Sequence, residues 1–121
     1  MNKDIAVNFL QMVIAGNINE AYDKYVDFSG KHHNVYTPAG FDNLQKGMQD
    51  AEDQTPDKTY EVKNVVGTDD LVAVHGHLIM GKDEAGMATV HMFRFNDGKI
   101  VELWDVAQDL PANSVNTDGA F

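Results

Sequence analysis

The sequence predicts an α+β domain in which helices cover one face of a curved, mainly antiparallel sheet. Two observations carry this reading. Apolar residues recur at helical spacing in the first half of the chain and follow strand-like runs in the second. Glycine- and aspartate-rich turns then divide the second half at short intervals. With 121 residues the chain is long enough for one core and too short for two.

In the first segment Ile5, Phe9, Met12 and Val13 share a stripe, which predicts a helix opened by Asn2 or Asp4 and closed by Gly16. Asn17 then caps a second helix whose apolar face is Ile18, Ala21, Tyr22 and Tyr25. Ser29-Gly30 breaks the pattern, Lys31 to Tyr36 reads as a short strand, and Thr37 to Gly40 as a loop. A third helix runs from about Phe41 to Asp53 on the spacing of Phe41, Leu44, Met48 and Ala51. Strands follow at Thr59–Val66, Leu71–Met80, Met87–Phe95 and Lys99–Gln108. Residues 1–111 form the domain. Residues 112–121, small and polar, form a flexible tail unless Phe121 docks.

Composition narrows the function. Nineteen acidic groups face nine basic ones, a formal charge of −10, and Arg94 is the one arginine. Such a surface repels nucleic acid and anionic lipid, so neither is expected as a partner. The absence of cysteine removes disulfides, thiol catalysis and thiolate-bound metal. No stretch has the roughly 18 apolar residues of a membrane span, and the start lacks a signal-peptide pattern, so a cytoplasmic location is expected. Phosphate loops, serine elbows and dinucleotide fingerprints are missing, and no cofactor is expected.

The last hairpin is the most informative segment. Asp97-Gly98 suits a two-residue turn, which pairs Asn96 with Lys99. Counting outward in strict register sets Phe95 opposite Ile100, Phe93 opposite Glu102 and His91 opposite Trp104. One face then carries His91, Phe93, Phe95, Ile100, Glu102 and Trp104. The other carries Val90, Met92, Arg94, Val101, Leu103 and Asp105. The first mixes aromatic rings with an imidazole and a carboxylate, as pocket walls do. It makes His91 a candidate acid or base and Glu102 its orienting partner. The competing reading is a satisfied core histidine beside a solvated glutamate. The second face is largely apolar and needs cover, which predicts a homodimer through the outer face of the sheet. His75 and His77, two apart on one strand, share a face; a metal site there would need His91 as a third ligand.

The run Val90-His91-Met92-Phe93-Arg94-Phe95-Asn96-Asp97-Gly98-Lys99-Ile100-Val101-Glu102-Leu103-Trp104-Asp105-Val106-Ala107-Gln108 resembles the C-terminal signature of SnoaL-like proteins of the nuclear-transport-factor-2-like superfamily. His32-His33-Asn34-Val35 resembles the same family's Q-H-N-P box. The resemblance covers about 110 residues. It implies three N-terminal helices packed on a strongly curved sheet, forming a cone with an internal pocket, and a dimer. Ketosteroid isomerases share that fold. Where they carry a tyrosine, an aspartate base and a protonated aspartic acid, this chain resembles them with Phe9, Asn34 and His91. That substitution argues against steroid-type isomerisation. The reading is a pocket for a small apolar molecule, possessing cofactor-free acid–base chemistry of the cyclase, isomerase or dehydratase type on a carbonyl compound. The alternative is a non-catalytic hydrophobic-ligand or interaction module. The residues assigned are His91 and Glu102 for proton transfer, and His33, Asn34, Phe93, Trp104, Phe9 and Tyr25 for ligand binding; no metal is assigned.

Overall fold

The computed structural model describes all 121 residues. The elements run α1 (Asn2–Ile14), α2 (Ile18–Tyr25), β1 (Val26–His32), α3 (Phe41–Gln54), β2 (Thr59–Gly67), β3 (Leu71–Ile79), β4 (Met87–Asn96) and β5 (Lys99–Asp109). The strands form one open, mixed sheet in the order β1-β5-β4-β3-β2, and the three helices pack on its concave side. The predicted α+β class is what the structure has.

Helix α1 ends in a paired closure. The amide of Asn17 bonds the Met12 carbonyl at 2.9 Å and that of Gly16 bonds Val13 at 3.1 Å. The turn sets α2 at an angle, so that Phe9 and Tyr22 meet with ring centroids 5.3 Å apart. The core joins Phe9, Leu10 and Val13 of α1 and Ile18 and Tyr22 of α2 to Val72, Val74, Phe93, Ile100 and Leu103 of the sheet.

Two expectations need correction. The first strand is Val26–His32, not Lys31–Tyr36. It lies parallel to β5, pairing Lys31 with Glu102 and His32 with Leu103. This non-local pairing draws Ser29 and Gly30 into a strand, although locally they read as a break. Asn34 to Tyr36, released from the ladder, form a turn at the rim of the cone.

The second correction concerns the last hairpin. The turn is as expected: Asn96 pairs with Lys99, and Asp97 and Gly98 have φ of 51° and 75°. One pair further out, Phe95 faces Ile100, and then Arg94 faces Glu102. Val101 is therefore an extra residue, a β-bulge, and beyond it the whole of β5 changes sides. His91 now faces Asp105, Phe93 faces Leu103, and Met92 faces Trp104. The concave side carries His91, Phe93, Leu103 and Asp105. Glu102 and Trp104 go with Arg94 and Met92 to the convex side.

The convex side also holds His75 and His77, because their strand neighbours Val72 and Val74 are buried. The Phe121 ring rests beside these histidines, with centroids 5.5 and 4.8 Å away, under the Lys63 ammonium. His75 and His77 thus lie across the sheet from His91, and the three do not converge.

Candidate functional site

A cavity of about 580 Å³ opens between the helices and the concave face of the sheet. Phe9, Leu10 and Val13 of α1 and Leu44, Met48 and Ala51 of α3 supply its apolar roof. Each of these runs repeats at three- and four-residue spacing, so one helical stripe serves core and cavity together. Strands contribute Tyr60, Leu78, Thr89, His91, Leu103 and Asp105. The turn at Asn34, Val35 and Tyr36 forms the rim, where Val35 and Tyr36 are almost fully exposed. Most of the lining is apolar, and its polar groups are His91, Asp105, Asn34, Tyr60 and Thr89, with the charged Lys58 and Asp109 also on the lining.

His91 and Asp105 are cross-strand partners whose side chains share the concave face. The Asn34 amide donates to Asp105 Oδ2 at 2.7 Å. The amide is itself oriented: its oxygen accepts from the Tyr36 backbone and the Thr37 hydroxyl, both at 3.0 Å. His32 holds the same turn from inside, donating from Nε2 to the Pro38 carbonyl at 2.9 Å while Nδ1 accepts from the Asn34 backbone N–H. The box at residues 32–34 therefore aims one carboxylate oxygen of Asp105.

Burial pulls the His91 imidazole below its ordinary pKa, and the Asp105 carboxylate partly opposes this. Burial therefore favours the unprotonated ring. Its Nδ1 is sealed from solvent with no hydrogen-bond partner. Burial, and then the charge of Asp105, push the Tyr22 phenol well above its ordinary value. Tyr60 is raised by burial also, against a smaller effect from the Thr89 hydroxyl. Beside one another on the wall, the arrangement offers the Asp105 carboxylate, an imidazole and protonated phenols, with Lys58 and Asp109 also on the lining. Such a set can move a proton beside a polarised carbonyl.

Of the residues assigned from sequence, His91, Asn34 and Phe9 line the cavity. Phe93 is fully buried beside it, packed edge-on against Phe9 at 5.8 Å and stacked on His91 at 6.4 Å. Tyr25 points elsewhere, its hydroxyl accepting from Asn8. Glu102, Trp104 and His33 lie outside, on the convex side. There the His33 ring stacks on Trp104 at 5.1 Å and its Nε2 meets Glu102 at 2.6 Å. The Arg94 guanidinium lies 5.7 Å over the indole and reaches Glu102 at 3.4 Å. The His33 hydrogen bond, helped by Arg94, holds the Glu102 carboxyl below its ordinary range. The bulge at Val101 is the physical reason for the displacement of Glu102 and Trp104, while His33 turns outward by alternation after the buried His32. Glu102 is therefore not the partner of His91; Asp105 is.

Sequence reasoning missed Asp105, Tyr60 and Thr89. A signal for Asp105 was present, since opposite charges at Arg94 and Glu102 favour the shifted register over one that pairs Glu102 with Phe93.

Comparisons agree with this geometry. The solved structure of IdmH from Streptomyces antibioticus superposes with a TM-score of 0.69 at 23% identity, covering 88% of this chain and 91% of that one. A SnoaL-like polyketide cyclase from Agrobacterium tumefaciens gives 0.73 at 17% identity, covering 89% and 91%. AclR from Streptomyces galilaeus gives 0.68 at 27% identity, covering 91% and 80%. No curated protein matches the sequence. The model of the SnoaL-like domain matches residues 6–103, most of the chain. A cone of three helices on a bent sheet, with that match along it, establishes that this chain belongs to the SnoaL-like family of the nuclear-transport-factor-2-like superfamily.

Proposed function

We propose that the cavity binds a small apolar carbonyl compound and carries out cofactor-free acid–base chemistry on it, of the cyclase, isomerase or dehydratase type. The observation that supports this most directly is the His91–Asp105 pair on the wall of an otherwise apolar cavity. Asp105 takes a proton from the carbon beside the carbonyl. His91 faces the oxygen on which charge develops. Asn34 is not a base, because its amide is already spent on Asp105. The apolar roof suits a hydrocarbon body, and the match to a SnoaL-like polyketide cyclase supports a ring-forming or ring-isomerising reaction.

The test uses enolisable aryl and cyclic ketones in deuterated water, with loss of the α-proton signal followed by NMR. Exchange is expected to accelerate with the wild-type protein and to fall at least 100-fold with Asp105→Asn, the scale of one general base. Exchange that is equal with and without protein across the panel would sink the reading.

A non-catalytic pocket is the second reading. It is favoured by Phe9, which offers no donor where ketosteroid isomerases carry a tyrosine, and saturable binding without exchange would identify it. In either case the convex face, where Val90, Met92 and Val106 lie among histidines and the Arg94–Glu102 pair, suits a homodimer. The acidic, cysteine-free composition suits a cytoplasmic protein without nucleic-acid or membrane partners.

A further inference from the structure

Two buried side-chain atoms of this chain have no hydrogen-bond partner, the Tyr60 hydroxyl and His91 Nδ1. They belong to neighbouring residues: the two rings meet edge to face, with centroids 6.4 Å apart and planes at 87°. One unpaired buried polar group costs about 1–3 kcal/mol, and two adjacent ones are a costly coincidence unless they serve each other. One is an O–H donor, and the other is a ring nitrogen that accepts when unprotonated.

The backbone provides for this contact. Tyr60 pairs with Leu78, and its ring leans across the next cross-strand position, Gly76. A Cβ at Gly76 would lie 2.3 Å from the Tyr60 hydroxyl and 2.4 Å from the adjoining ring carbon. Only a residue without a side chain lets the phenol lie down on the sheet there. Gly76 in turn pairs with Thr89, two residues before His91 on the same face. Thr89 spends its own proton on the Gly76 carbonyl at 3.3 Å.

We propose that Tyr60 is a positioning residue whose hydroxyl, just outside hydrogen-bond reach of His91 Nδ1 in this conformation, swings across Gly76 to donate its proton there, fixing the imidazole proton on Nε2. This rests on the acid–base reading above and divides the roles within it. With Nδ1 occupied as an acceptor, His91 meets the substrate oxygen as a neutral N–H donor, and Asp105 alone is the base. The step balances. The α-carbon's C–H bond breaks, its proton goes to Asp105, and its electron pair forms the enolate C=C. The carbonyl oxygen takes the charge and accepts the hydrogen bond from Nε2–H, and the imidazole keeps its proton.

The test reads the tautomer directly, without any ligand, by ¹⁵N NMR of the His91 ring at neutral pH. In the wild type Nδ1 is expected to resonate as unprotonated and Nε2 as protonated. Tyr60→Phe keeps the ring and removes the hydroxyl, and should lower the Nε2–H to Nδ1–H ratio about tenfold, what one hydrogen bond of ordinary strength sustains. Gly76→Ala keeps every hydroxyl but lifts the phenol, and should produce the same change. Thr89→Val removes only the neighbouring hydroxyl and should not. A protonated Nδ1 in the wild type, or His91 signals indifferent to Tyr60→Phe, overturns the proposal. Should any ketone be exchanged, Tyr60→Phe should lower kcat about tenfold with KM within about twofold. Absence of exchange defeats the acid–base reading and leaves the tautomer result standing on its own.

Discussion

Gly30 of β1 lies so close to Val101 of β5 that a Cβ on the glycine would sit 2.2 Å from the Val101 carbonyl oxygen. Val101 is the bulged residue that turns the rest of β5 over. A glycine on one strand therefore makes room for the irregularity on another that brings Asp105 to the cavity. Gly30→Ala should destabilise the fold by about 2–3 kcal/mol, since the obstacle is backbone and cannot swing aside. Urea denaturation would measure this, and the amide spectrum should change first around Ile100–Asp105. Unchanged stability would mean that the bulge does not depend on this contact.

Asp105 is expected to hold up the pKa of His91. Burial depresses the imidazole and the Asp105 charge opposes that depression. Asp105→Asn should therefore move the His91 titration further downward, followed through its ring signals. An upward movement would show that the carboxylate and imidazole are not coupled as their pairing implies.

The same group gives stability a pH dependence. The native pKa of His91 lies below the ordinary 6.5, so between the two the unfolded chain binds the extra proton. Stability is intact above about 6.5 and falls as the pH drops toward the native value. Melting temperatures at pH 7 and pH 5 should differ in that direction. The difference should shrink in His91→Gln, whose side chain does not titrate.

Glu102 separates the two hairpin registers experimentally. It sits on the convex side with His33 and Arg94. Glu102→Gln should leave binding of an apolar dye in the cavity within about twofold and change stability little, as for solvent-screened ion pairs. His91→Ala, on the cavity wall, should alter the dye's affinity. A strong effect of Glu102→Gln on the dye would restore the strict register.

The convex face should form a two-fold interface. Val66 and Val106 are more than half exposed there, near Met92 and Trp104. Light scattering at micromolar concentration should give twice the chain mass, and Val106→Glu should halve it. A monomeric wild type would refute the interface.

The order of elements was legible because each rests on local signals: the stripe through Ile5, Phe9 and Val13, the closure at Gly16, the Asp97-Gly98 turn. The family resemblance brought the cone and cavity with it. Two features were hidden because they are settled between distant segments. The strand at Val26–His32 owes its form to β5, some 70 residues further on. The bulge has no mark within Ile100-Val101-Glu102-Leu103, all of which fit an unbroken strand; its marks are Arg94 across the hairpin and Gly30 on the far strand. Tyr60 escaped notice for a related reason, since its reach depends on a bare glycine at position 76 of the neighbouring strand.

The bulge also makes the site depend on parity. Pairing Val101 into the ladder, with no change of sequence, would alter no catalytic group. Yet it would exchange the occupants of the two faces along the end of β5, withdrawing Asp105 from His91 and presenting Trp104 in its place. Among relatives of this fold, whether an extra residue in that hairpin is bulged out or paired is thus a larger chemical event than most substitutions in the cavity. Sequences aligned there without regard to the bulge will equate residues that point in opposite directions.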